Sequence, residues 1–209
     1  LGSEMCIRDR GGILQLYKES KFFAENQAAH RWEKHRGLRE LSGKTACIIG
    51  TGSVGSAIAR RLRAFDVQTV GMNRSGHPVA EFDQTQPTCR LDDLLPLADL
   101  VICAMPLTAE TAGLFDSVRL AKIKPGAVFV NVARGKVTDQ QALVEALQSG
   151  QLSGAVLDVF EEEPLPRSSP LWDMEQVILT PHNSFVGEHN GERLFKCIKE
   201  HLYELSKEC

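Results

Sequence analysis

Gly50-Thr51-Gly52-Ser53-Val54-Gly55 is the segment of this sequence whose chemistry is easiest to read. It follows a short apolar run, Thr45 to Ile49, and opens a helical pattern, so the three glycines sit at a strand-to-helix turn. In that setting the first glycine permits the tight turn. The second lets a pyrophosphate approach the backbone, and the third lets the helix pack close to the strand. The helix start at Ser53 and Val54 offers N–H groups and a positive dipole end to phosphate. Glycine-rich turns that bind nothing share this spacing; the strand-loop-helix-strand order favours a dinucleotide. A site for NAD usually carries a carboxylate about 20 residues on, to hold the ribose 2′-hydroxyl. That position here is Asn73, followed by Arg74 and Ser75. All three can donate to a 2′-phosphate, which a carboxylate would repel. The expected cofactor is NADP or NAD, with NADP favoured; the alternative is that Arg74 is a solvated turn residue.

Three further groups have the right chemistry but little local context. Arg134 follows an apolar run, His182 is one of six histidines, and Glu163 ends the run Glu161-Glu162-Glu163. Taken singly, a surface arginine, a structural histidine and a solvated acidic loop are adequate readings. His30, His35, His77, His189 and His201 are read in that ordinary way.

The combination changes this. Val130-Asn131-Val132-Ala133-Arg134-Gly135, Leu157-Asp158-Val159-Phe160-Glu161-Glu162-Glu163-Pro164 and Leu179-Thr180-Pro181-His182-Asn183 occur in that order, after Pro106-Leu107-Thr108 and Thr111. From about residue 12 to 205 the sequence resembles the D-isomer-specific 2-hydroxyacid dehydrogenase family, in its NAD(P)-binding domain.

The resemblance implies roles. Arg134 would grip a substrate carboxylate and polarise the keto oxygen, a task suited to a planar, permanently charged fork. His182 would be the general acid, or the base in the reverse direction. Glu163 would bond the imidazole, fix its tautomer and favour its charged form; only the resemblance selects it over Glu161 and Glu162. Asp158 would contact the nicotinamide end of the cofactor, and Met105, Pro106, Thr111, Val132 and Ala133 would line the cofactor cleft with Arg134 and His182. The implied activity is hydride transfer between NAD(P)H and a small 2-keto acid of the glyoxylate or hydroxypyruvate kind. A different class of reading, an NAD(H)-sensing dimeric scaffold resembling corepressor relatives, is less consistent with an intact Arg134, Glu163 and His182. Formate dehydrogenases share the fold but use Gln where this sequence has Glu163.

These residues need a frame. Thr45–Ile49, Val67–Met72, Leu100–Ala104, Ala127–Val132, Gly154–Val159 and Val177–Leu179 read as strands. Ser53–Phe65 reads as a helix with Val54, Ala57, Ile58, Leu62 and Phe65 on one face and Arg60, Arg61 and Arg63 opposite. Short helices are expected over Leu91–Leu97 and Phe115–Ile123, the latter stopped by Pro125-Gly126. Another opens at Thr138, with Gln141 completing a capping box, and closes at Gly150. Strands alternating with helices give an α/β fold, a doubly wound parallel sheet of the Rossmann type. The expected division is a connecting helix over 11–37, ending at Gly37, a dinucleotide-binding domain over 38–183, and a helical tail over 184–209. The first ten residues, Leu1 to Arg10, match nothing that follows and are expected to be an artefact or disordered.

In this family the two flanking helices join a flavodoxin-like substrate lobe of roughly a hundred further residues. The 209 residues are expected to lack most of that lobe. Two expectations follow: dinucleotide binding with poor turnover, because one wall of the cleft is missing, and exposed apolar residues at Leu14, Phe22, Phe23, Leu194, Phe195 and Leu202. A homodimer is expected.

The 209 residues are enough for one domain with a real core, and 43% hydrophobic with 24% charged residues is ordinary globular composition. A net charge of -3 without a basic block argues against nucleic acid or an anionic membrane as partner. No apolar run approaches the ~18 residues of a membrane span. The six cysteines lack C-x-x-C spacing, so neither a disulfide framework nor a metal site is expected, and a cytoplasmic, reducing setting fits.

Overall fold

The computed structural model describes residues 11–183 and 188–205. Its centre is a seven-stranded sheet. The strands are β1 (Thr45–Ile49), β2 (Gln68–Asn73), β3 (Gln84–Pro87), β4 (Leu100–Cys103), β5 (Ala127–Asn131), β6 (Leu152–Leu157) and β7 (Val177–Leu179). All pairs are parallel, in the order β3-β2-β1-β4-β5-β6-β7. Strand order therefore reverses between β1 and β4, and the crevice beyond the C-terminal ends at such a point is where ligands bind in open α/β sheets.

The side-chain period of two sorts the central strands onto two cores. Cys47, Ile49, Val101, Cys103 and Phe129 belong to one apolar cluster, and Ala46, Ile48, Leu100, Ile102, Val128 and Val130 to the other. Helices cover both clusters, which is why these strands read as continuous apolar runs rather than alternating ones. On the first side lie α5 (Ser117–Lys122) and α6 (Gln140–Gln148), burying Leu120, Leu143 and Leu147. On the second lie α1 (residues 11–17) and α3 (Ser53–Arg63), burying Ile13, Leu16, Ile58 and Leu62. The doubly wound Rossmann-type sheet is thus present. Burial pushes the Cys47 thiol up to about 12 and raises that of Cys103; both are free thiols that pack as small hydrophobes.

Several local expectations need correction. The stretch from Ile13 to Arg36 is not one helix. It breaks after residue 17, with Glu19 in the left-handed region (φ 49°), and restarts as α2 (Ser20–Ala28). It ends at His30 (φ 52°), well before Gly37. The weak stripe explains this, since α2 buries only Asn26. Beyond it the backbone is tied back by long-range contacts: Arg39 N–H donates to the Tyr17 carbonyl (3.1 Å), and its guanidinium lies 4.5 Å above the Tyr17 ring. Strand β3 was not expected, because QTQP is polar and ends in proline; it is an edge strand, where both are tolerated. Thr138 does not cap α6. Asp139 does, accepting from Ala142 N–H (3.0 Å), while Thr138 is buried against Asn131. The 91–97 helix divides into α4 (Leu91–Leu94) and a tighter turn that contains Pro96.

The C-terminal α7 spans Asn190–Leu205. Phe23, Leu194 and Phe195 are exposed, as expected, whereas Leu14 and Phe22 are half-buried; the side chain of Leu202 lies outside the described residues, as do residues 1–10. No helix among the described residues is long and apolar enough to cross a membrane.

Candidate active site

The glycine loop joins β1 to α3 at the switch point. Gly50 sits at φ 108°, and a Cβ on Gly55 would stand 1.8 Å from the Gly50 carbonyl oxygen, so the helix presses directly on the loop. Around Gly52 there is open space, with nothing within 4 Å of a built Cβ. The α3 N-terminus has neither a side-chain cap nor an acidic residue in its first turn. An approachable backbone at a positive helix end fits a pyrophosphate.

Beside it, Val54, Met105, Pro106, Val132, Ala133 and Arg134 line one hollow of about 370 Å³, together with Ala104 and Leu107, which the sequence did not mark as lining residues. Thr111 does not line this hollow; it ties down the loop that follows Pro106. Its hydroxyl accepts from Thr108 N–H (2.8 Å) and donates to the Pro106 carbonyl (2.8 Å). At the end of β2, Asn73 Nδ2 donates to Thr51 Oγ1 (3.3 Å) and to the His77 carbonyl (2.9 Å), and Ser75 Oγ lies 3.1 Å from His77 Nδ1. Of the three residues there, Arg74 is the one that extends as a cation, largely exposed.

Arg134 follows β5 and is held by its neighbours rather than by its own helix. Asn131, 2% exposed, donates through Nδ2 to the Arg134 carbonyl (3.2 Å) and accepts at Oδ1 from Ala133 N–H (3.1 Å). Nothing but an asparagine inside the buried run Val128-Phe129-Val130-Asn131 signalled this in the sequence. The next residue, Gly135, has no room for a side chain: a Cβ would meet the Phe160 carbonyl oxygen at 1.8 Å. Gly135→Ala should therefore push the Arg134 segment off the β6 end. It should cost about 1–3 kcal/mol, a fall in Tm of roughly 3–10 °C read by thermal unfolding.

His182 and Glu163 meet directly. His182 Nδ1 lies 2.7 Å from Glu163 Oε2, and Glu163 Oε1 accepts from Phe160 N–H (2.9 Å). Geometry separates the three glutamates, since Glu161 turns away to accept from Gln140 N–H (2.9 Å). His182 adopts φ 48°, held there by its N–H donating to the carbonyls of Asp158 (2.8 Å) and Thr180 (3.0 Å). Asp158, 3% exposed, accepts at Oδ1 from Thr180 Oγ1 and from Asn183 N–H (3.0 Å). Its N–H donates to the Asn131 carbonyl (3.0 Å), so one network runs from the Arg134 segment to the His182 segment. The pair forms a wall of a separate, mainly apolar hollow of about 590 Å³ with Phe160, Leu165, Trp172 and Leu179.

Burial raises the Glu163 carboxyl pKa. Hydrogen bonds from His182 and from Phe160 N–H, with the charge of His182, outweigh both that and the repulsion from Asp158, and hold it below the usual glutamate range. A depressed native pKa stabilises the fold above the unfolded value of about 4.3, and that contribution is lost as pH falls through the native value. The Tm difference between the wild type and Glu163→Gln should shrink as pH is lowered from about 5 to below about 4.

A family model described as D-isomer specific 2-hydroxyacid dehydrogenase, NAD binding domain, matches residues 11–184. The chain belongs to this dehydrogenase family. It is 38% identical to glyoxylate/hydroxypyruvate reductase B of Citrobacter koseri over 186 residues, covering 87% of this chain and 57% of that protein. It is 44% identical to glyoxylate reductase of Pyrococcus furiosus over 143 residues, covering 68% of this chain and 42% of the other. Among solved structures, the NADPH-dependent glyoxylate/hydroxypyruvate reductase of Sinorhizobium meliloti, in complex with NADP and sulfate, superposes with a TM-score of 0.88 at 29% identity, over 99% of this chain and 66% of that one. This dehydrogenase-family chain spans about half the length of the curated relatives it matches.

Proposed function

We propose that the chain is the cofactor-binding and catalytic half of an NADP-preferring reductase of small 2-keto acids such as glyoxylate or hydroxypyruvate. The observation that carries this reading is the 2.7 Å His182–Glu163 pair, linked through Asp158 and Asn131 to Arg134 at the C-terminal ends of adjoining strands. A reduced nicotinamide, when bound, supplies the hydride. Arg134 binds the substrate carboxylate and draws charge onto the keto oxygen. His182 gives that oxygen its proton, and Glu163, on the other ring nitrogen, keeps the imidazole aimed and its charge compensated. Asp158 and Asn131 hold these two segments in register. The relatives' names support the substrate class, and the absence of a carboxylate at Asn73 supports NADP.

The same reading divides the chain at 37/38 and 183/184, places it in the cytoplasm with its buried thiols reduced, and makes it a homodimer that takes neither nucleic acid nor membrane as partner. The test combines three measurements. Fluorescence titration should show tighter binding of NADPH than of NADH; the reverse order defeats the NADP assignment. Glyoxylate-dependent NADPH oxidation should be present and lost in Arg134→Ala and His182→Ala. If both variants match the wild type, the enzyme reading fails. Light scattering should show a dimer, and a clean monomer at high concentration removes that part.

A further inference from the structure

Arg74 has an unexpected partner. Its Nη2 lies 3.6 Å from Glu110 Oε2, with the two side chains 90% and 78% exposed. Arg74 follows β2, and Glu110 lies in the loop after β4. These two strands flank β1 on either side, so the pair closes across the end of β1, beside the glycine loop. The backbone that carries Glu110 is ordered locally: its N–H donates to Thr108 Oγ1 (3.3 Å), and Thr108 N–H donates to Thr111 Oγ1 (2.8 Å). At the end of β2, Asn73 Nδ2 is engaged by Thr51 and His77 and Ser75 by His77, which leaves Arg74 to meet a ribose 2′-phosphate.

We propose that Glu110 is a residue that sets dinucleotide selectivity, competing with the 2′-phosphate for the Arg74 guanidinium and so limiting the preference for NADP over NAD. The proposal rests on the NADP reading above. A site that lacks the carboxylate at Asn73 still presents one, from the opposite wall, to the cation a 2′-phosphate needs. A 2′-phosphate at Arg74 must share the guanidinium with Glu110 or displace it, and it brings a phosphate dianion close to a carboxylate. A dinucleotide with a 2′-hydroxyl does neither. Repulsive elements of this kind act on the difference between two ligands, and an exposed ion pair is weak enough to be exchanged.

The probes are adenosine 2′,5′-bisphosphate and 5′-AMP, which differ only in the 2′-phosphate and bind without turnover. Calorimetric titration of the whole chain at low salt should show that Glu110→Gln tightens the bisphosphate by about three- to tenfold and changes 5′-AMP by less than about twofold. In an Arg74→Gln background the effect of Glu110→Gln should fall below about twofold. Equal changes for both probes, or no change for either, overturn the proposal. The Arg74→Gln single variant separates two kinds of failure. If it leaves bisphosphate binding unchanged, the NADP reading falls and the proposal with it. If it weakens bisphosphate binding while Glu110→Gln is neutral, only the role of Glu110 is refuted. Both residues are exposed, so thermal unfolding of each variant should match the wild type.

Discussion

His182→Asn should lower kcat/KM for the reduction of glyoxylate with NADPH by roughly 10²–10⁴, the range set by removing a positioned general acid. The geometry supports an effect of that size. The imidazole is fixed from below by Glu163 at 2.7 Å and at its backbone by two accepting carbonyls, so its second nitrogen is presented in one orientation. Asparagine retains a polar group of similar reach and tolerates a positive φ, so the strand-end geometry at φ 48° should survive. The loss would then report proton transfer rather than misfolding. Far-UV circular dichroism and Tm check that the variant is folded. A folded His182→Asn protein with unchanged kcat/KM would remove His182 from the mechanism. Glu163→Gln should cost less, because it removes the partner of the acid and leaves the acid in place.

Arg134→Ala should lower kcat/KM by roughly 10³-fold or more, since one fork supplies both a charge-assisted grip on the carboxylate and a donor to the developing oxyanion. Arg134→Lys should recover only part of it, because an ammonium cannot reproduce a planar two-point contact. The Arg134 side chain is exposed and its Nη1 donates to the Ala133 carbonyl at 2.7 Å, so truncation disturbs little of the fold. Steady-state kinetics with glyoxylate, and with an aldehyde lacking the carboxylate, separate the two contributions. The penalty should be far smaller for the aldehyde. Equal penalties would argue against carboxylate recognition by Arg134.

Much of the fold was legible in the linear order of residues. Apolar runs at Thr45–Ile49, Leu100–Cys103 and Ala127–Asn131 are parallel strands because each is covered on both faces, and periodicity is a local property that short windows retain. The glycine loop was legible because its spacing follows a strand and opens a helix; the demand on Gly55 acts within six residues, whereas that on Gly50 comes from the Ala104 backbone at the end of β4, 2.6 Å from a built Cβ. Elements shaped by distant contacts were not. The break at Glu19, the extended segment anchored by Arg39 on Tyr17, and polar edge strand β3 all depend on partners far away in the chain.

The site divides along the same line. Residue types and motif order determined by themselves that a dinucleotide loop, an arginine, a glutamate and a histidine share one chain in a dehydrogenase pattern. The family resemblance already pointed to Glu163, and the tertiary structure supplied the contact, with Glu161 turned away; only the tertiary structure decided that Asn131 and Asp158 tie the Arg134 and His182 segments together, and that Arg74 faces Glu110. Apart from the local Asn131–Arg134 bond, those contacts join residues 19 to 36 positions apart, and their distances are set by how the sheet packs, which no local spacing encodes.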